Sequence, residues 1–402
     1  MLEIRAGNQQ IELFTGTPYE KGTVPKYYLQ FSDNTFASVY KSGILKSVGD
    51  IHRSVTIRTL GGSLVALEPD VKTGGYLTCI PTPLELDQFQ QSLARLKTLR
   101  EHVLAGKSVS ITRLGQKRYE PVVPSDNDIL HFFRSIKSLA ELDTLALRLN
   151  THLGAMDIIH PDMGDRDYLA FSFCQGCDGG CVKCSFQHER QLRARSHEEI
   201  TAQIEFYKNL FTQQERTRFD MFAGNHRGLG IDFDLFSAYV GRIRNEAGMS
   251  EGKVFAFCNA EDILQLHEQF GKSEMEAKML RLGLHLNIGI ESGSPQGLRE
   301  YGKNMTLQSI QQALVILKNT AVPYSVNILA GVDWENHVLA TVQLFRGLYR
   351  PGDNKPAVYS SEFMNERGNV DRNLEAAQYK TFRTALNDCG IYVFRYTFVP
   401  FN

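Results

Sequence analysis

From residue 168 onward the chain alternates short apolar runs with amphipathic stretches, and this alternation constrains the fold more than any other feature. Strand patterns fall at 168–173, 218–223, 253–257, 284–290, 324–329 and 357–362, with 392–399 as an optional extra strand. Helix patterns lie between them: Ser196-His197-Glu198-Glu199 forms a capping box, and further helices fit 233–243, 273–282, 306–319 and 374–389. A parallel neighbour is reached only through a crossover, so such alternation specifies a parallel sheet or barrel with helices outside. Six strand-helix units are too few for a full eight-unit barrel.

The stretch that ends the first strand and runs on from it is the second constraint, because residues 174–184 hold four of the seven cysteines. Cys177, Cys181 and Cys184 stand in a C-x3-C-x2-C array made supple by Gly176, Gly179 and Gly180, which lets three thiolates converge on one inorganic centre. A cubane [4Fe-4S] cluster has four irons, so three cysteine ligands leave one iron open to a substrate or cofactor. Two other readings compete. Taken with Cys174 the spacing is C-x2-C-x3-C-x2-C, and two C-x2-C knuckles hold a tetrahedral zinc, although three residues between them make a tight hairpin. A fully ligated ferredoxin-type centre uses C-x2-C-x2-C-x3-C, which is not the spacing here. Cys174 itself ends an apolar strand pattern and reads as a small buried hydrophobe.

The array on the loop after the first strand resembles the signature of the radical S-adenosylmethionine (radical SAM) superfamily. The resemblance implies an α/β fold, a partial (β/α)6 barrel, with Cys177, Cys181 and Cys184 holding a [4Fe-4S] cluster. It also implies that SAM is chelated at the open iron and cleaved reductively to a 5′-deoxyadenosyl radical, which abstracts hydrogen from a substrate. Lys183 stands where the family usually has an aromatic residue, and Phe186 follows instead. In such barrels the active site lies at the C-terminal ends of the strands. Gly224 and Asn225 stand where the family's glycine-rich turn meets the SAM amino group. Asn259, after the third strand, opens a segment similar to one in barrels of the porphyrinogen-oxidase and methylthiotransferase type. Gly289-Ile290-Glu291-Ser292-Gly293-Ser294, with Leu298, Lys303 and Thr306, looks like the G-[IV]-[EQ]-S-G-S stretch of those same families. A carboxylate at Glu291 can hold a ribose hydroxyl or an ammonium, and a cation at Lys303 can meet the SAM carboxylate. Their structural alternatives are a salt bridge at the barrel mouth and a solvated helix end. Asn327 and Gly331 are placed to touch adenine or ribose. Asn365 and Arg367 face substrate or are ordinary loop residues. No catalytic side chain is assigned.

Residues 1–160 read as an α+β domain of open role, a substrate cover or a docking domain, and 161–402 as the barrel with a C-terminal extension. The boundary falls in the turn-rich stretch 157–167. Strand patterns at 27–31 and 54–60 precede a helix after Pro83 that carries Leu86, Phe89, Leu93, Leu96, Leu99 and Val103 and ends near Gly106. A second helix starts at Ser125 or Asp126 and aligns Ile129, Phe132, Ile136, Leu139, Leu142, Leu145 and Leu149. A net charge of −1 without long like-charge runs leaves no electrostatic footprint for nucleic acid or an anionic membrane. No window approaches the ~20 apolar residues of a membrane span, and the start lacks a basic segment followed by an apolar core. An odd cysteine count clustered on one loop suits a reducing compartment, so the expected location is cytoplasmic. Cys79, Cys174, Cys258 and Cys389 form no second spaced motif, so auxiliary clusters are not indicated. The implied partners are a small-molecule or peptide substrate and a reductant such as flavodoxin or ferredoxin. The alternative from another class is a non-catalytic metal-binding scaffold, with structural zinc or an iron-sulfur centre, or a regulatory protein.

Overall fold

The first part of the chain builds one antiparallel sheet. The computed structural model describes residues 2–6, 9–15, 24, 26–50, 55–70, 75–79, 81–107, 109–113, 125–153, 167–181, 191–224, 227–363 and 370–396. Its first strands are β1 (Leu2–Ala6), β2 (Gln9–Thr15), β3 (Lys26–Phe31), β4 (Thr35–Tyr40), β5 (Leu45–Asp50), β6 (Val55–Arg58), β7 (Leu64–Asp70), β8 (Gly75–Cys79) and β9 (Val109–Arg113). They run in the order β8-β7-β6-β5-β4-β3-β2-β1-β9, each paired with its neighbour in the chain except β9, which returns to β1. Helix α1 (Pro83–Leu104) is capped by Thr82, whose hydroxyl accepts from Glu85 N. It lies on β4, β5 and β6, so Phe89, Leu96, Leu99 and Val103 join Leu29, Ala37, Val39 and Val48 in the core.

The single helix expected from residue 125 is two. Ile136 leaves the helical region, at φ −53° and ψ 126°, and closes α2 (Asp126–Ser135). Ser138 then opens α3 (Leu139–Leu147) with a cap of its own: its backbone N–H donates to the Glu141 carboxylate at 2.7 Å. A π-helical turn, Arg148–His152, continues it. Ile136 stays buried through the break, which is why apolar spacing alone gave no sign of it.

The second part is a seven-stranded, wholly parallel sheet of β10 (Tyr168–Ser172), β13 (Asp220–Gly224), β14 (Val254–Cys258), β15 (Leu284–Glu291), β16 (Tyr324–Ala330), β17 (Ala357–Glu362) and β18 (Val393–Tyr396), in chain order. The optional strand is thus the seventh, paired parallel to β17. Between β10 and β13 lie the small hairpin β11 (Cys174–Gln175) and β12 (Arg193–Ala194), then α4 (His197–Leu210) and α5 (Gln213–Arg216). The later crossovers are α6 (Phe233–Glu246), α7 (Ala260–Arg281), α8 (Pro295–Tyr301) with α9 (Leu307–Lys318), α10 (His337–Leu348) and α11 (Arg372–Asn387). Strands that always add on the same side through crossovers of one hand keep their helices on one face. Ala256, Leu286, Ile288, Val326, Ile328 and Val358 on that face join the main core. The other face is free of crossover helices and carries the site. No described helix is long and apolar enough to cross a membrane.

The two sheets meet at both edges of the parallel one. At β10, the buried Asp167 carboxylate pairs with Lys26, accepts from Tyr40 Oη at 2.7 Å and from Val24 N at 3.2 Å, and has Lys46 Nζ at 3.9 Å. At the far edge β8 runs alongside β18. The stretch 157–166, where the domain boundary is expected, lies outside the described residues.

Candidate metal centre

Pairing register defines the uncovered face of the parallel sheet. Gly289 pairs with Asn327, Asn327 with Tyr359, and Tyr359 with Phe394, and residues in register point the same way. Toward β10 this face carries the aromatic cluster of Tyr168, Phe222, Phe255 and Phe257, separate from the core under the helices. Toward β16 it turns polar. Asn287, fully buried, donates from Nδ2 to Ser325 Oγ at 2.7 Å and to Asn327 Oδ1 at 3.4 Å, which leaves the amide N–H groups of half-buried Asn327 turned away from that bond.

At the C-terminal end of β15 the pairing register shifts between Gly289 and Glu291, and Glu291 takes a left-handed φ of 63°. A non-glycine residue there costs roughly 1–2 kcal/mol, and such strain collects at functional sites. Its effect is to fold the Glu291 carboxylate back over the strand, where Lys303 Nζ donates to Glu291 Oε1 at 2.8 Å and to Gly289 O at 2.5 Å. Position 289 must be glycine for this, since a Cβ would lie 2.6 Å from both Glu291 Oε1 and Lys303 Nζ. Burial alone would lower the Lys303 pKa, but the charges of Glu291, Cys181 and Cys177 outweigh it and raise it. Ser292 is fully buried behind this turn, with its hydroxyl taken up internally. It accepts from Ser294 N at 3.0 Å and lies 2.8 Å from His337 Nδ1. His337 Nε2 lies 2.9 Å from Leu329 O, which can only accept, so Nε2 carries the proton and Nδ1 accepts from Ser292. Burial lowers the His337 pKa and keeps the ring neutral.

The cysteine loop comes to this place from β10. A Cβ at Gly179 would lie 3.3 Å from Cys177 Sγ, 3.8 Å from Cys181 Sγ and 3.9 Å from Asn259 Nδ2, so both thiols and Asn259 border one small space. Asn304, next to Lys303, donates its backbone N–H to Gly179 O at 2.9 Å and its Nδ2 to Asp178 O at 3.1 Å. The tips of β14 and β15 and the cysteine loop are therefore neighbours. Gly224 ends β13, while Asn225, Cys184, Lys183, Phe186, Asn365 and Arg367 lie outside the described residues. Among the described residues no three His, Cys, Asp or Glu side chains are grouped to hold a metal. The local donor set is sulfur, because the nearby carboxylates of Asp178 and Asp262 are both taken by Arg227. That fits a thiolate-held iron-sulfur group better than a hard cation. Cys174 differs from its neighbours: fully buried, it donates to Arg227 O at 3.5 Å, and burial pushes its thiol up to about 12.

Sequence spacing pointed to the cysteines, Glu291 and Lys303, but not to Arg227, Asp262, Asn304 or His337. Arg227 lies on a strand-to-helix loop, Asn304 between two helices, and Asp262 and His337 in the first turns of α7 and α10; the bonds that matter here run to partners 35 to 126 positions away, which no local pattern marks.

No protein-family model matches the chain, and neither does any curated protein. Solved structures similar to it include OxsB, a cobalamin-dependent S-adenosylmethionine radical enzyme with aqua-cobalamin and SAM bound, at 16% identity over 54% of this chain and 29% of that one, TM-score 0.35. The radical SAM methyltransferase TsrM from Kitasatospora setae, with tryptophan and a SAM analogue, is similar at 14% identity over 47% and 35%, TM-score 0.34. SuiB from Streptococcus suis, bound to the precursor peptide SuiA, is similar at 8% identity over 92% and 72%, TM-score 0.40. The chain thus spans about a third of OxsB or TsrM. Likenesses this distant carry no argument about its chemistry, which rests on its own residues.

Proposed function

We propose that the chain is a radical SAM enzyme. Cys177, Cys181 and Cys184 would hold a [4Fe-4S] cluster at the C-terminal edge of a partial barrel formed by the parallel sheet. The observation that carries this reading is the meeting of two half-buried thiols with Asn259 and, one residue from Asn304, the Glu291–Lys303 pair. Cys174 is fully buried with its thiol already given to Arg227 O, which speaks against its serving as the fourth ligand of a four-cysteine zinc site. When bound, the cluster would chelate SAM at its open iron and supply the electron that cleaves it to methionine and a 5′-deoxyadenosyl radical.

The chain's own residues bind and orient. Lys303 has one N–H beyond the two given to Glu291 and Gly289 and would use it on the SAM carboxylate, while the second Glu291 oxygen would accept from a ribose hydroxyl or the SAM ammonium. Asn259 and Asn327 would offer amides, and Gly224, at the end of β13, would offer backbone. Ser292 works indirectly, by tying this turn to His337. The antiparallel sheet, which touches both β10 and β18, closes the open side of the cavity and keeps water from it. The substrate is a small molecule or a peptide, and a one-electron donor such as flavodoxin or ferredoxin serves the cluster.

Anaerobic incubation with iron, sulfide, SAM and dithionite tests the reading. It should give a brown protein that releases 5′-deoxyadenosine, detected by chromatography. A colourless protein with stoichiometric zinc would instead make it a metal-binding scaffold. In the reconstituted protein, Glu291→Ala and Lys303→Ala should keep the cluster and weaken SAM binding by about 1.5–3 kcal/mol each, the value of a charge-assisted hydrogen bond. Equilibrium SAM titration measures this, and native affinity in both variants would remove the pair from the SAM site.

A further inference from the structure

We propose that Arg227 is a positioning residue that holds the cysteine loop in its metal-ready shape before any metal arrives. The inference rests on reading that loop as the metal-holding one, and it assigns a role to a side chain whose bonds run to protein carboxylates.

Arg227 lies on the loop between β13 and α6, and its guanidinium is forked between two carboxylates. Nε donates to both oxygens of Asp262 at 3.0 Å, Nη2 to Asp262 Oδ1 at 2.5 Å, and Nη1 to Asp178 Oδ1. The two partners differ in kind. Asp262, 2% exposed, sits in the first turn of α7 and accepts from Asn259 N at 2.8 Å, so it belongs to the frame. Asp178, 50% exposed, lies between Cys177 and Cys181 and belongs to the loop. A planar fork that reaches both at once fixes the loop relative to the tips of β13 and β14, which a flexible point charge would do poorly.

The grip is completed from the opposite side by Asn304, bonded to Gly179 O and Asp178 O. There the loop backbone comes so close that a Cβ at Gly180 would lie 2.6 Å from the Asn304 amide. Arg227 acts a third time through its carbonyl, which accepts from the Cys174 thiol at 3.5 Å. One residue thus bonds to the loop at Asp178 and at the strand-end cysteine before it.

The experiment cuts the link to the loop without touching the buried Arg227–Asp262 pair, through Asp178→Ala in the full-length protein, with Asp178→Glu as the conservative rescue and Arg227→Lys to remove the fork. Hydrogen exchange of the metal-free protein should show the amides of Gly179 and Gly180 exchanging about tenfold faster in Asp178→Ala and Arg227→Lys. The amides of β13 and β14 should keep native protection in Asp178→Ala, and Asp178→Glu should restore the loop. After reconstitution with iron and sulfide, the two loosened variants should lose iron to bathophenanthroline about tenfold faster than native protein. Native loop exchange and native iron loss in Asp178→Ala would overturn the proposal. A native protein that takes up no iron would instead overturn the proposed function, and the exchange result would still decide the role of Arg227.

Discussion

Replacing Cys177, Cys181 or Cys184 by Ala is expected to abolish the iron-sulfur absorbance of the reconstituted protein, while Cys174→Ala keeps it. The asymmetry has a physical basis in the described part of the loop. Cys177 and Cys181 are half-buried and border the space beside Gly179, where both sulfurs are open to a shared metal group. Cys174 is wholly buried, its thiol pushed up to about 12 and donated to a carbonyl, so it enters no metal shell without leaving the core. Iron and sulfide analysis with visible absorption reads the result. Loss of absorbance in Cys174→Ala alongside zinc in the native protein would replace the three-ligand cluster with the two-knuckle zinc site.

Asp167→Asn is expected to cost about 3–5 kcal/mol of stability, the range for removing one partner of a buried ion pair. Asp167 is 1% exposed and answers Lys26, itself 7% exposed, so its loss leaves an ammonium in the interior without a counter-charge. Lys46 loses the same counter-charge, and one of the two oxygens that Tyr40, Val24 and Lys26 share becomes an NH2 that cannot accept; Lys46 and Tyr40 sit on β5 and β4, which join the antiparallel sheet to β10. Burial by itself would raise the Asp167 pKa, but Lys26 and Lys46 prevail and lower it. A carboxyl held below its unfolded value of about 4 stabilises the fold fully above that pH and loses the contribution as pH falls through the lower folded value. Urea titrations from pH 7 downward should therefore show native protein losing stability below about pH 4, and Asp167→Asn losing less over that window. Equal stability of the two at pH 7 would mean that the junction does not depend on this pair.

What the sequence by itself determined is what neighbours along the chain decide. The strand at 357–362 lies where its apolar pattern places it, and α4 and α9 begin at Ser196 and Thr306, because a cap is a contract between a residue and the backbone three positions on. The same locality explains the misses. Helix α10 follows Asn336, left-handed at φ 56° and without a side-chain cap, so nothing announces it. The 125–149 helix read as continuous because an apolar stripe persists across a break that Ser138 makes with its own cap. Helix α7 has two parts divided by the non-helical Gly271: the second matches the helix expected at 273–282, while the first, from Ala260, went unread.

Only the tertiary structure decided the site. Spacing could place Cys177 and Cys181 on one loop and Glu291 near Lys303, but it could not say that Lys303 closes on Glu291 over a glycine. Nor could it say that Asn304 joins them to residue 178, or that Arg227 spans Asp178 and Asp262. These bonds link residues 12 to 126 positions apart, and they form because parallel strands in chain order bring every C-terminal tip to the same edge. A periodic pattern records which face a residue takes, whereas the partner it meets across that edge depends on register and crossover length, which no single segment contains.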